Sequence, residues 1–105
     1  MGTSMSTMEY LRKQIQEIDS VIIQCLALRQ NMCQQIAQLK QQDGKPITDI
    51  NQEKKNFAFY ETLAKSCALE PHFIERLFRL IILNSRTVQH DTISEREDPE
   101  PRLQE

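Results

Sequence analysis

The 105-residue chain has no tryptophan, and only 6% of its residues are aromatic. It has two glycines, four prolines and three cysteines. Glycine and proline are both absent from residues 3–43, so nothing punctuates that stretch into turns or short strands. The longest near-continuous apolar run, Leu80 to Leu83, is far too short to span a membrane. Met1 to Met8 lacks the apolar segment of a secretory signal, so a cytoplasmic location is expected. Cys25, Cys33 and Cys67 are odd in number and form no CxxC or cysteine–histidine pattern, which argues against a disulfide framework or a zinc site. Reduced, half-buried thiols are expected instead. A large excess of one charge is also missing, since the formal net charge is only −2.

That charge is unevenly placed. Of 15 acids and 13 bases, six and two fall in Asp91–Glu105, leaving 9 and 11 in residues 1–90, a formal +2. This suits a small anionic ligand. It is too little for a nucleic-acid surface, and the aromatics such a surface interleaves with its bases are lacking. We therefore expect a 7-residue disordered N-terminus, one domain over 8–90, and a disordered acidic tail over 91–105.

The residues that are present favour helix. Gln, Leu, Ile, Ala, Lys and Arg dominate the first forty positions. Leu11, Ile15, Ile18, Ile22, Cys25, Met32, Ile36 and Leu39 recur at heptad spacing. One helix is predicted from about Ser6 to Gln42, roughly 55 Å long at 1.5 Å per residue. A compact domain of this size is about 30 Å across, so such a helix projects and its apolar seam calls for a second copy of the chain. Asp43-Gly44-Lys45-Pro46 ends it. A second helix starts near Thr48 or Asp49, where Asp49 and Gln52 read as a variant capping box, and ends near Ala68. Its stripe is Ile50, Phe57, Tyr60, Ala64 and Cys67. Pro71 opens a third helix whose apolar residues, Phe73 to Leu83, wrap most of its circumference. It should be largely buried and should end near Gln89. The fold class is all-α: three helices, the first very long, in an intertwined homodimer.

Polar residues interrupt each stripe. Arg29 fills the gap between Cys25 and Met32, Glu53 lies midway from Ile50 to Phe57, and the third stripe runs on into Ser85 and Gln89. Burying such groups without partners is costly. Arg29 could pair with Glu53 or fix coiled-coil register, but Ser85 and Gln89 are neutral and neutralise nothing. A polar pocket for a small, oxygen-rich anion accounts for all of them better. Lys40, eleven residues after Arg29, lies within about 20° of it around the helix and about 16 Å along the axis. Arg12 is about 100° away and about 25 Å distant, and could reach only the site of a partner chain.

In order and spacing these residues resemble the all-helical class of chorismate mutases. The likeness covers about residues 8–90: Leu11-Arg12, Ile15, Ile18-Asp19, Leu28-Arg29, Ile36-Ala37, Lys40, Gly44-Lys45-Pro46-Ile47-Thr48-Asp49, Glu53, Pro71-His72-Phe73, Leu77-Phe78, Ile81-Ile82, Ser85 and Gln89. It is similar to the mutase domain of bifunctional mutase–prephenate dehydratase enzymes. The resemblance implies a dimer with two equivalent sites that rearranges chorismate to prephenate. Arg29, with Arg12 of the other subunit, is then expected to hold the two carboxylates of chorismate. Lys40 and Gln89 are expected to donate to the ether oxygen, and Glu53, helped by the backbone near Asp49, to accept from the ring hydroxyl. Ser85 assists at a carboxylate. The rearrangement is unimolecular, so no metal or cofactor is implied, and isolated His72 and His90 are read as structural or solvated. One residue departs from the pattern: Gln52 stands where many relatives carry arginine. Two other readings share the scaffold, an isochorismate-pyruvate lyase or aminodeoxychorismate mutase, and a non-catalytic helical dimerisation module.

Overall fold

A computed structural model describes residues 6–97. Within them the chain is all-α, with helices α1 (Thr7–Gln42), α2 (Ile50–Ser66) and α3 (Pro71–Glu97). For packing the chain divides after Met32 into two units, each described by itself.

Local chemistry accounts for where each helix begins and ends. At the start of α1, Ser6 Oγ accepts a hydrogen bond from the Glu9 amide at 3.0 Å, a serine N-cap. At its end, Gly44 adopts φ +66°. The Gly44 amide donates to Gln41 O at 3.2 Å and the Lys45 amide to Lys40 O at 2.8 Å. These two bonds form a Schellman motif, with glycine in the left-handed position as the sequence suggests. Asp49 caps α2 by accepting from the Gln52 amide at 3.1 Å. The reciprocal half of the expected capping box is not made, because the Gln52 side chain donates to Asn56 Oδ1 instead.

The end of α2 repeats the same motif without glycine. The Ala68 amide donates to Lys65 O and the Leu69 amide to Ala64 O, at 3.2 and 2.8 Å. Ala68 is forced to φ +57°. A left-handed alanine carries a penalty of about 1–2 kcal/mol that glycine avoids. Pro71 is the first residue of α3, as expected. Glu70 precedes it and accepts from the amides of His72 and Phe73 at 3.1 and 2.9 Å. These bonds, the one from His72 foremost, hold the Glu70 carboxyl below the usual carboxylate range.

Residues 7–32 form one stretch of helix in which every apolar side chain is exposed. Its large apolar residues range from 41% exposed at Leu26 to 67% at Ile23. Only Gln14 and Arg29 are half-buried.

In the second unit α2 packs against α3. Tyr60 stacks on Phe78 with ring centroids 3.9 Å apart, and Phe57 meets Tyr60 edge-on at 5.5 Å. Arg79, itself bonded to Glu75, sits 5.1 Å above the Phe57 ring. The buried residues are Cys33, Ala37, Ala64, Ile82, Ser85 and Gln89.

The structure corrects several expectations. On α1 the buried positions, Cys33 and Ala37, were not singled out as a packing face, while the seam residues Ile36 and Leu39 are exposed on their own chain, in keeping with the expectation that the seam is left uncovered. Small side chains permit close approach, and the bulkier seam faces elsewhere. Cys25 and Cys67 are exposed rather than half-buried, and Cys25, Cys33 and Cys67 are not disulfide-bonded. The third helix is not largely buried: Phe73, Leu77, Leu80 and Leu83 are exposed. It also continues beyond Gln89 to Glu97, since neither glycine nor proline occurs between Pro71 and Pro99 to stop it. Of the expected disordered segments, residues 1–5 and 98–105 lie outside the described residues.

Candidate active site

Glu53 lies on α2 one turn before Phe57, and the aromatic stack fixes what it meets. From the Tyr60–Phe78 contact, seven residues back along α2 and eight forward along α3 are about 10 and 12 Å. In an antiparallel pair those steps lead to Glu53 and Arg86. Their side chains form a bidentate ion pair: Arg86 Nη2 donates to both carboxylate oxygens, and Nε donates to Oε2 at 3.2 Å. Both are partly withdrawn from solvent, Glu53 more so than Arg86.

Arg86 adjoins two further expected site residues on α3. Ser85 and Gln89 are four residues apart and therefore share a face. They are the buried polar residues of the described chain, at 9% and 8% exposure. Ser85 Oγ donates to Ile81 O at 2.8 Å. Gln89 Oε1 is buried and has no hydrogen-bond partner among the described residues. A buried amide oxygen left unmatched is costly, so this position is suited to a polar ligand. Half a turn of the amide presents its NH₂ donors there instead.

Lys40 is half-buried, and its ammonium donates to the carbonyl of Ile47 in the α1–α2 connection. That bond ties the cation to the segment leading into the Asp49 cap. The Asp49 carboxylate is itself engaged at the α2 N-terminus. Arg29 and Arg12 belong to the first unit, where Arg29 is half-buried and Arg12 exposed.

Glu53 and Arg86 are thus joined directly. Sequence reasoning missed Arg86 and considered Arg29 as the partner of Glu53. The signal was available, because a helical hairpin turning at residues 67–70 sets position 53 opposite position 86. Among the described residues no group of three His, Cys, Asp or Glu could hold a metal ion, and no helix is long and apolar enough to cross a membrane.

Comparison with known proteins bears on what this arrangement serves. The model of the family "Chorismate mutase type II" matches residues 11–90. The chain belongs to that family. The match takes in Arg12, Arg29, Lys40, Asp49, Glu53, Ser85 and Gln89. The chain is 32% identical over 87 residues to the bifunctional chorismate mutase/prephenate dehydratase of Escherichia coli K12, covering 83% of this chain and 22% of that protein. It is 38% identical over 78 residues to the bifunctional enzyme of the same description from Buchnera aphidicola subsp. Acyrthosiphon pisum, covering 74% and 20%. To the chorismate mutase of Methanocaldococcus jannaschii it is 28% identical over 85 residues, covering 81% of this chain and 86% of that one. The chain therefore spans about a fifth of the length of its bifunctional relatives and aligns with most of the archaeal mutase. The resemblance read from the residues is borne out at the level of family.

Proposed function

We propose that this protein is a chorismate mutase, converting chorismate to prephenate in sites shared by two copies of the chain. The observation that carries the reading is the family match over residues 11–90, a span that includes every polar position expected at the site. The buried Gln89 supports it, because its Oε1 is withdrawn from water without a hydrogen-bond partner among the described residues and suits a ligand of matching polarity.

In this reading Arg29 and Arg12 of the second copy clamp the substrate's two carboxylates. Planar guanidinium forks suit carboxylates, and two fixed anchors hold the enolpyruvyl arm over the ring. Lys40 and Gln89 donate to the ether oxygen, stabilising the negative charge that gathers there as its bond to carbon breaks. Glu53 accepts from the ring hydroxyl, the backbone near Asp49 assists it, and Ser85 supports a carboxylate. No group needs to act as nucleophile or proton donor to carbon.

The exposed seam of α1 supports the second copy as its cover. Leu11, Ile15, Ile18 and Ile22 lie along one stripe, each more than half exposed. Burying a side chain of this size contributes about 1.5–3 kcal/mol. Cys25, Cys33 and Cys67 are not disulfide-bonded, which fits a reducing compartment, and we place the protein in the cytoplasm.

The test is to incubate the purified protein separately with chorismate and with isochorismate, then identify the products by chromatography. Prephenate from chorismate is the expected result. Salicylate and pyruvate from isochorismate alone mean a lyase on this scaffold, and no turnover of either contradicts the reading.

A further inference from the structure

We propose that Arg86 is a positioning residue for this reaction, holding the Glu53 carboxylate toward the ring hydroxyl and cancelling its charge beside a dianionic substrate. The inference rests on the mutase reading.

A site for a dianion that also contains a carboxylate meets an electrostatic difficulty. Glu53 has the right chemistry to accept from a hydroxyl, but its negative charge repels the ligand it helps to orient. Arg86 resolves this within the chain. Its guanidinium bonds to both carboxylate oxygens, so the pair is neutral as a unit. A carboxylate has about four lone-pair sites, and the three bonds from Arg86 leave about one free for a hydroxyl. The fork also fixes the carboxylate plane, which a freely rotating glutamate lacks.

Placement supports the assignment. Arg86 follows buried Ser85 directly and precedes buried Gln89 by three residues, so it sits at the edge of the polar face of α3. The aromatic stack that joins α2 to α3 lies two helical turns away. An ion pair serving only to join the helices has no need to lie beside the buried polar residues.

Arg86 has two separable roles, and kinetics can read each. Arg86→Met removes charge and fork together, and should raise KM for chorismate about ten-fold and lower kcat several-fold. Arg86→Lys restores charge without planar geometry, and should return KM to within about two-fold of the parent while kcat stays depressed. In a Glu53→Gln background there is no carboxylate to neutralise or aim, so adding Arg86→Met should change kcat/KM by less than about two-fold.

The proposal is overturned if Arg86→Met matches the parent. It is also overturned if Arg86→Met costs the same factor with Gln at position 53, since Arg86 then acts on the substrate or on the fold rather than through Glu53. Circular dichroism at the assay temperature checks that each variant is folded. Should Arg86→Met unfold, the Arg86→Lys comparison in the two backgrounds decides, by the presence or absence of the kcat loss. A parent that makes no prephenate defeats the mutase reading and this inference with it. An active parent with a silent Arg86 defeats this inference alone.

Discussion

Residues 7–32 and residues 33–97 are both helical and are drawn from similar amino acids, but they differ sharply in burial. In the first, every apolar side chain is exposed, and helix is maintained by propensity, a serine cap and intrahelical bonds. In the second, Ala37 is fully buried, Ala64 and Ile82 nearly so, and two polar residues join them. Helical periodicity thus reports which side chains share a face, and it does not report what that face meets. In the proposed reading, the heptad seam of α1 is an instruction about association. The small residues at Cys33, Ala37 and Ala64 are instructions about packing within the chain.

The largest expected effect comes from breaking the exposed seam. Ile22→Glu places a carboxylate where the dimer reading buries an isoleucine, and sedimentation equilibrium should show association weakened by about 100-fold or more. Next is overpacking of the second unit. Ala64 is 3% exposed, and Ala64→Leu should destabilise by about 1–3 kcal/mol, seen as a lower Tm. The equivalent change at exposed Ala27 should leave Tm nearly unchanged. A smaller change of opposite sign is expected at the end of α2. Ala68→Gly relieves the left-handed alanine and should stabilise by about 1 kcal/mol, whereas Gly44→Ala should destabilise by a similar amount.

The smallest effect concerns acid. The Glu70 carboxyl is held below its ordinary value by the amides it caps. Its contribution is therefore present above the unfolded-state value and lost as pH falls through the lower folded-state value. Thermal melts of the parent below about pH 4.3 should show this loss, and Glu70→Gln should show less of it.

Much of the fold was legible in the sequence because its signals are local. The missing glycine and proline from 3 to 43, Gly44, the Asp49 cap and Pro71 each act within a turn of their own position, and the helices begin and end accordingly. Ala68 was harder to read, since the same motif normally announces itself with glycine. The site was legible by type more than by partner. Glu53, Ser85 and Gln89 stood out as polar groups on apolar stripes, and the structure withdraws all three from solvent to different degrees. The Glu53–Arg86 pair was missed because it depends on the register between α2 and α3. Periodicity within one helix carries no information about register; the Tyr60–Phe78 stack does.

The central claim is that each site is completed by a second copy of the chain, and mixing two inactive variants tests it most directly. Arg12→Ala and Arg29→Ala should each lose most mutase activity when assayed alone. Unfolded and refolded together in equal amounts, half of the dimers formed are mixed, and one of the two sites in each mixed dimer has both arginines. Activity should then recover to roughly a quarter of the parent value. No recovery, in a mixture shown by mass spectrometry to contain mixed dimers, contradicts the shared site.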